Sequence, residues 1–449
     1  MQGSRSRGRA VSSGILTGIS TAVVSGTAAA AGVILSRKFG HGVKTDGFFA
    51  AYPLYLAVVL VASVVRVIAL PRFVRAHSAR RAPPGARHWA AELLPWIAVS
   101  SAAQVVGGLV AAALSAFDDY VTPAAGFAIG SVAGLAVTVA ILGHGLIAFG
   151  WGLGVNGAVS LLIPLAVLVR RRGLALPDAS PWPRLVELVE GVTVPVALQL
   201  LYVIANYYAS GIESGGATTF SYAYLIAAFF VSLTATSLAL VTTVPYAREG
   251  DSPVRSGRHV VAASWLSLVP VAAAAGVFAV AGAFLTEHVL GPKYGGATGA
   301  ELSRLVVYLA PWMVASVALT IAYPLLFVRG RGRWLPVVAL AALAVHVPLE
   351  WALRKAWGLG GLAAGMAVST ALVLAVLLTM LHAVKMTTRG VVVAAAICGA
   401  VAAAAFGVPG AVLGPVAAGA VGLVLYCAIL CVWRPAGLRQ AWAYVHGLQ

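Results

Sequence analysis

Polar side chains recur at helical spacing inside the apolar stretches of this chain and could line a path for a substrate. Gln199, Tyr202 and Asn206 follow one another along one stretch, and Tyr222 and Tyr224 begin the next. If these stretches cross a membrane, each polar group is costly unless it faces a cavity or a partner. Hydroxyl and amide groups suit the hydroxyls of a sugar, so these five are candidate binding residues. Hydrogen bonding between packed helices is the alternative explanation.

A second candidate group combines an imidazole, a carboxylate and a guanidinium. His346, Glu350 and Arg354 lie at i, i+4 and i+8, so they share one face of a helix. We predict that Glu350 and Arg354 form a buried ion pair and that the group couples cation binding to movement. Arg354 also lies near the end of an apolar stretch, beside Trp351 and Trp357. A structural role for an arginine that reaches the membrane surface therefore stays open.

A glycine-bearing turn between two apolar segments supplies two further candidates. Asp46 is one of the few carboxylates in the first hundred residues, and Tyr52 follows it. Asp46 could gate a path, or it could cap the next helix, because a helix N-terminus favours a carboxylate. The unit 36–71 is matched loosely by 210–245, with Tyr52 aligned on Tyr224. Internal repeats of this kind are a common way to build transporters.

Sequence motifs of enzyme chemistry are missing or out of context. The chain contains no His-Glu-x-x-His zinc motif, no P-loop Gly-Lys-Ser/Thr and no ATP-binding domain. Gly152-x-Gly154-x-x-Gly157 matches the dinucleotide fingerprint, but it lies in an apolar helix without a preceding strand, so it indicates close helix packing. We therefore predict no catalytic residue, no metal site and no cofactor, and we expect that the protein is not an enzyme.

The composition determines the class of protein that positions these residues. Of 449 residues, 61% are apolar and only 10% are charged, whereas soluble domains carry about 25% charged residues. Apolar stretches of about 20 residues, enough for a helix to cross a bilayer, recur along the chain. Spans of this length satisfy their backbone hydrogen bonds as helices rather than as a barrel of short strands. The sequence therefore predicts an all-α, polytopic integral membrane protein.

The net charge of +17 would suggest nucleic-acid binding in a soluble protein, but here it orients the chain in the membrane. From Arg170 onward, five basic loops alternate with neutral or acidic turns, apart from the basic turn at Arg354 and Lys355. We place the basic loops and both termini in the cytoplasm, expect a multi-pass protein of the plasma membrane, and expect no nucleic-acid partner. The basic N-terminus ahead of a long apolar run predicts an uncleaved first span.

The apolar pattern predicts about thirteen spans, at residues 12–35, 47–70, 89–115, 121–142, 146–169, 190–211, 217–245, 258–285, 302–328, 333–356, 359–384, 390–408 and 411–433. Both the arginine-rich loop 72–87 and Arg170 are expected in the cytoplasm, but three spans, an odd number, separate them. Either one of the segments between 89 and 169 is not a full span, or the N-terminal arginines lie outside. We favour an irregular or half-crossing element near 75–115, where two prolines and Gly107-Gly108 interrupt regular helix.

Several segments together carry a resemblance to a known family. Residues 37–52 contain Phe-Gly followed by Asp-Gly-Phe-Phe-Ala-Ala; Leu93-Leu-Pro-Trp begins another segment, and Gly150-Trp-Gly-Leu-Gly-Val-Asn-Gly a third. With residues 215–224, they are similar to the MurJ (MviN) lipid II flippase family of the multidrug/oligosaccharidyl-lipid/polysaccharide (MOP) exporter superfamily. The resemblance covers nearly the whole chain.

The resemblance implies 13 to 14 transmembrane helices in two pseudo-symmetric lobes, as in the MOP and MATE-like transporters, plus a terminal helical pair. It places the first lobe at 1–172, the second at 173–385, and the terminal pair with a short cytoplasmic tail at 386–449. The third helix of the family has no good counterpart, because only the arginine-rich residues 72–88 are available for it. The odd number of spans noted above fits a lost third helix.

The resemblance also implies cavity charges that this chain lacks. The family carries charged residues on its first, second and eighth helices. The corresponding positions here are uncharged; these positions are Ser25, Ala31, Gly32, Pro53 and Leu225. Of the family's charged residues, only Asp46 persists. A diphosphate needs positive charge or oriented amides around it. The resemblance therefore supports the fold more strongly than lipid II as the substrate.

Taken with the polar candidates, the resemblance predicts a flippase that moves a polyprenyl-linked saccharide, lipid II-like or another cell-envelope precursor, by alternating access. Its partners would be that lipid, the bilayer, and proteins of cell-wall or polysaccharide synthesis. Two alternatives stay open. One is a cation-coupled exporter of small amphiphiles, and the other is a non-transporting membrane partner of cell-wall synthesis.

Overall fold

The computed structural model describes residues 23, 26, 27, 30–40, 45, 48, 49, 84–116, 119, 121–172, 182–212, 215–236 and 252–447. In these residues every regular element is a helix. Seven helices within this part of the chain are long and apolar enough to cross a membrane, and an eighth span results if one bent pair is counted. The predicted all-α membrane architecture is therefore confirmed. Most residues of the predicted spans 12–35 and 47–70 lie outside the described residues.

The chain divides into two compact units, Met1–Val203 and Ile204–Gln449. The predicted lobe boundaries near residues 172 and 385 stay a prediction. The described helices of the first unit are α1 (30–39), α2 (Pro84–Ala116), α3 (Val121–Ala140), α4 (Ile147–Arg172) and most of α5 (Trp182–Ala209).

Helices α3 and α4 pack closely through glycines of α3. An ideal Cβ added to Gly126 would lie 2.8 Å from the ring of Pro164. One turn further along α3, Gly130 faces Ser160, and another turn on, Gly134 faces the carbonyl of Gly152. Small residues let membrane helices approach closely when apolar burial offers no driving force between them. The prediction that the glycines around residue 152 serve helix packing is confirmed.

Replacing Gly157 with alanine should loosen the packing of α4 on α2. The new Cβ would lie 2.8 Å from the carbonyl oxygen of Ser100, which is backbone and cannot turn away. Overpacking of this kind costs about 1–3 kcal/mol, so the unfolding temperature in detergent should fall. Gly108→Ala is the matched control, since nothing lies within 4 Å of its added Cβ, and it should be neutral or stabilising. Equal unfolding temperatures for the two variants would contradict the close contact.

The expected break at Gly107-Gly108 is wrong, whereas a half-crossing course of this element stays a prediction. Residues Pro84–Ala116 form one continuous helix of 33 residues. Gly107 lies within this helix and does not interrupt it. It faces the backbone of Ser160 and Leu161, and an ideal Cβ added to it would lie 3.4 Å from the Ser160 carbonyl oxygen. The glycine serves an interhelical contact rather than a break. The proposed loss of a third helix concerns residues 72–88, of which 72–83 lie outside the described residues.

Asp119 fixes the start of α3 and links it to the end of α4. Its carboxylate accepts hydrogen bonds from the backbone N–H of Thr122 (3.0 Å) and from the Thr122 hydroxyl (2.8 Å), in the manner of an N-cap. Arg171 donates to the same carboxylate at 2.7 Å. Burial raises the pKa of Asp119, but the Thr122 hydrogen bonds and the Arg171 charge together hold this pKa below its ordinary value.

The lowered pKa of Asp119 gives a pH-dependent contribution to stability. The ionised carboxylate stabilises the fold above the unfolded-state pKa of about 4, and the contribution is lost as pH falls through the lower folded-state pKa. Asp119→Ala should cost about 1 kcal/mol at pH 7 through loss of the cap. Its deficit in unfolding temperature should shrink below pH 4, and Asp119→Asn, which keeps an acceptor, should lose less. A deficit that stays constant to pH 3 would show that the charge plays no part.

The second unit holds the remaining helices and the last residues of α5. They are α6 (Gly216–Val231, continued by a π-helical turn Ser232–Thr236), α7 (Pro253–Leu290), α8 (Gly296–Tyr308), α9 (Ala310–Val328), α10 (Leu335–Met380), α11 (Val384–Val412), α12 (Pro415–Trp433) and α13 (Ala436–Gly447). Helices α8 and α9 form the bent pair, with 42° between them. The predicted span 302–328 is thus broken near Leu309.

Helix α7 is the element on which the C-terminal helices pack. Phe406 of α11 lies with its ring against two glycines, Gly276 of α7 and Gly422 of α12. Tyr426 of α12 donates its hydroxyl to the Val269 carbonyl of α7 at 2.9 Å. Each glycine leaves space for the aromatic ring, so α7, α11 and α12 share one buried cluster.

Helix α10 is a hairpin of two antiparallel arms. It is broken at Trp357 and Gly358, where Gly358 has φ +57° and ψ −133°, a conformation that only glycine adopts readily. The arms meet closely, since an ideal Cβ on Gly361 would collide with the Leu353 carbonyl. The break falls between the predicted spans 333–356 and 359–384, so the hairpin agrees with the sequence pattern.

Candidate functional site

The predicted sugar-binding residues of α5 are buried. Asn206 accepts a hydrogen bond from the Ser221 hydroxyl at 2.9 Å, which ties the end of α5 to α6. Tyr202 is fully buried, and Gln199 is 8% exposed. Within the described part of the chain, the Gln199 amide nitrogen has no hydrogen-bond partner. Gln199 is therefore the member of this set that retains an unused donor.

Tyr222 and Tyr224 of α6 pack against aromatic rings of the same unit. The Tyr222 ring lies edge-on to Tyr294, with 5.5 Å between centroids, and the Tyr224 ring lies 5.0 Å from Trp312. Both tyrosines are buried. In this conformation they pack helices together, and a sugar would reach them only if the helices moved apart. Asp46 and Tyr52 lie outside the described residues, and all these assignments as binding residues stay predictions.

The two arms of α10 enclose a polar cluster of His346, Glu350 and Ser369. His346 Nε2 lies 3.4 Å from Glu350 Oε1, and its Nδ1 lies 2.8 Å from the Ser369 hydroxyl. All three side chains are at most 1% exposed. Gly365 makes room for the acid, because an ideal Cβ there would lie 2.6 Å from Oε1. The hairpin therefore brings an acid, a base and a hydroxyl together in its interior.

The cluster leaves the Glu350 carboxyl group incompletely satisfied. Among the described residues, neither of its oxygens has a hydrogen-bond donor in good geometry. A carboxylate buried in a membrane helix requires a positive partner, and the His346 imidazole is the group placed to carry that charge. The arrangement can hold a proton, or a small cation next to the carboxylate.

The predicted Glu350–Arg354 ion pair is wrong. Arg354 instead points along α10 to the end of α5, where it donates to the Tyr208 carbonyl at 3.4 Å and lies 5.6 Å from the centre of the Tyr208 ring. A cation is favourable at a helix C-terminus because the last carbonyls carry partial negative charge. Arg354 thus anchors α5 to the hairpin, and Glu350 pairs with the imidazole one turn earlier.

Two members of this cluster, Ser369 and Gly365, were not predicted from the sequence. Their signal is the symmetry of the hairpin about the peptide bond between Trp357 and Gly358. Residues equally distant from the break face each other, so Glu350 meets Gly365 and His346 meets Ser369. Recognising that a glycine between two apolar stretches closes a tight hairpin would have identified both.

The chemistry that this cluster allows is limited by its burial. Ser369 contacts His346, which contacts Glu350, and the same order of contacts occurs in a hydrolase triad. Here, however, all three side chains are buried, so a substrate carbonyl has no access to the serine. Among the described residues, no group of three or more His, Cys, Asp or Glu side chains could hold a metal ion. Binding and release of a small cation by this cluster stays a prediction.

No protein-family model and no curated protein matches this sequence. Solved structures do match over most of the chain. A structure described as lipid II flippase MurJ in an inward closed conformation aligns with a TM-score of 0.71 and 13% identity, covering 93% of this chain and 98% of that one. An inward-facing multidrug resistance MATE family transporter of the MOP superfamily aligns with a TM-score of 0.58 and 14% identity, covering 85% and 95%. An outward-facing transporter of the same description aligns with a TM-score of 0.51 and 16% identity, covering 87% of this chain and 86% of that one.

At these identities the likeness concerns the fold. The chain has the fold of the MurJ and MATE transporters, and the resemblance predicted from the segments around Phe48, Gly150 and Gly215 is confirmed at that level. The neighbours are described as a flippase and as transporters, which agrees with a chain that carries no enzyme motif. The chain is accordingly a multi-pass membrane protein.

Proposed function

We propose that this protein is a flippase that moves a polyprenyl-linked saccharide across the plasma membrane by alternating access. The observation that carries the proposal is the likeness to a lipid II flippase over 93% of this chain and 98% of the other, with a TM-score of 0.71. Likeness over this share of both chains extends beyond a shared sub-bundle. Both termini would lie in the cytoplasm.

The headgroup is proposed to differ from that of lipid II. Ala31 and Gly32 on α1 are uncharged, where the resembling family carries charges that face a diphosphate. The polar candidates of this chain are amides and hydroxyls, as in Gln199, Asn206 and Tyr222. Such groups recognise sugar hydroxyls by neutral hydrogen bonds. A saccharide headgroup would therefore supply most of the specific contacts.

Depletion in the native cell tests this function. We expect one lipid-linked saccharide to accumulate on the cytoplasmic leaflet, measured by mass spectrometry of extracted lipids after labelling of the outer leaflet. Re-expression of the wild-type chain should reverse the accumulation. If no lipid-linked saccharide accumulates while the protein is fully depleted, the flippase proposal is wrong.

A cation-coupled exporter of small amphiphiles is the second candidate, and the buried His346–Glu350 pair favours it. An acid and an imidazole 3.4 Å apart inside a membrane helix are suited to coupling a cation to a conformational change. Vesicles containing the purified protein and an imposed proton or sodium gradient distinguish the two. Gradient-driven efflux of an amphiphile without movement of any lipid-linked saccharide would favour the exporter. Absence of both activities would favour the non-transporting partner.

A further inference from the structure

A cavity of about 1460 Å³ lies in the second unit, away from the hairpin cluster. It is formed by the beginnings of α7 and α11, the end of α12, and α13, which folds back over α7. Gly437 of α13 packs directly on the Trp265 ring of α7, which brings the short helix against the longer one. The cavity thus lies where three membrane-crossing helices end on the same side.

One end of the cavity is strongly basic. Five of its lining residues carry positive charge and none carries negative charge; they are Arg258, Lys385, Arg389, Arg434 and Arg439. All five are exposed. Arg434 is partly engaged, since it donates to the Cys431 carbonyl at 2.9 Å. Within residues 252–447, no acidic side chain forms an ion pair with any of the five; Glu249 and Asp251 lie outside the described residues.

The charge changes to apolar surface along each helix that enters the cavity. On α11, Lys385 and Arg389 are followed on the same face by Val393 and Ile397, at successive steps of four residues. On α7, Arg258 is followed by Val261, Ala262 and Trp265. The basic groups therefore lie at the helix ends, and the apolar groups lie deeper along the spans.

This gradient has the polarity of a membrane lipid. Basic pockets between membrane helices on the cytoplasmic side bind anionic headgroups, and the apolar continuation fits acyl chains. A free anion would use only the basic end. Trp433 and Trp442, both more than half exposed, flank the cavity as interfacial tryptophans do at the level of lipid headgroups.

We propose that this cavity binds an anionic phospholipid of the cytoplasmic leaflet. Its phosphate is held by Arg258, Arg389 and Arg439, with Lys385 at the rim. Its acyl chains lie along Val393 and Ile397. Binding of such a lipid does not require the transport activity proposed above.

The test uses the purified full-length protein in a neutral detergent, with native mass spectrometry to count bound lipids. Phosphatidylglycerol should bind at least tenfold more tightly than phosphatidylcholine. The variant Arg258→Gln/Arg389→Gln/Arg439→Gln should lose roughly fivefold in affinity for phosphatidylglycerol for each cation replaced, which removes the preference. The control Arg170→Gln/Arg304→Gln/Arg333→Gln removes three exposed charges elsewhere and should keep the preference.

Three results would overturn the lipid site. The first is equal binding of the two phospholipids by the wild-type protein. The second is an equal loss in the control variant, which would indicate diffuse charge attraction. The third is inorganic phosphate that raises the unfolding temperature as much as phosphatidylglycerol does, which would indicate a site for a free anion.

If the triple variant does not fold, cross-linking of the wild-type protein tests whether the cavity binds the anionic lipid. A photoreactive phosphatidylglycerol with its label near the headgroup should mark peptides that contain residues 385–397 and 434–444. A phosphatidylcholine analogue should mark these peptides several-fold less. Labelling spread evenly over the helices, or equal for the two lipids, contradicts the site.

Discussion

Glu350→Gln should remove the ion dependence of the protein while leaving it folded. Glutamine has nearly the same shape, so it keeps the contact with Gly365, but it cannot pair as an anion with His346. Replacement by a side chain of nearly equal volume keeps the interior filled, and such replacements are tolerated best in a packed core. We therefore expect a transport rate at least tenfold lower, together with an unfolding temperature that no longer responds to sodium.

Two measurements report this effect separately. Gradient-driven transport in vesicles reports coupling, and the unfolding temperature of the purified protein in sodium or potassium buffers reports cation binding without a substrate. Glu287→Gln is the matched control, since it makes the same change at an exposed glutamate and should behave as the wild type. Arg354→Gln should lower stability by up to about 1 kcal/mol through loss of the contact with Tyr208, and it should keep the ion response. A Glu350→Gln protein with unchanged transport and ion dependence would end the coupling role.

Gly358→Ala should destabilise the α10 hairpin. Space is not the obstacle, since nothing lies within 4 Å of an added Cβ. The obstacle is the backbone, because φ +57° with ψ −133° is strained for any residue with a Cβ, at a cost of about 1–3 kcal/mol. The turn also sets the register that brings His346 to Ser369, so ion binding should weaken with stability.

Gly360→Ala provides the comparison for this variant. Residue 360 is helical, and its added Cβ would make an ordinary contact 3.4 Å from the Tyr308 ring. Alanine is favoured over glycine within a helix by about 0.5–1 kcal/mol. Unfolding temperatures in detergent should therefore separate the two variants in opposite directions from the wild type. A Gly358→Ala protein as stable as the Gly360→Ala protein would show that the turn is not strained.

The course of the helices could be predicted from hydropathy, because a span in lipid must be apolar and about 20 residues long. The hairpin shows this best, since Gly358 lies in the short gap between two predicted spans. Internal breaks were harder to place. Gly107-Gly108 was expected to interrupt a helix, yet a glycine also permits close helix contact, and sequence alone does not distinguish the two. The contact with Ser160 decided it.

The pairing of side chains depended on packing that the sequence does not contain. Glu350 has a possible partner four residues away in each direction, and helical spacing favours His346 and Arg354 equally. The contacts across the hairpin and at the end of α5 separated them, because Ser369 orients the imidazole and Tyr208 draws the guanidinium away. Likewise, the polar spacing along α5 revealed Asn206 but not that Ser221 would satisfy it.

The contact between α3 and α4 has a mechanical consequence for any conformational cycle. Gly126 lies against the ring of Pro164, and Gly130 and Gly134 lie against backbone carbonyls of α4. Sliding along the helix axis would bring larger side chains of α3 against these atoms, so the contact opposes shear, one of the two usual forms of motion between packed helices. We therefore expect α3 and α4 to move as a single body.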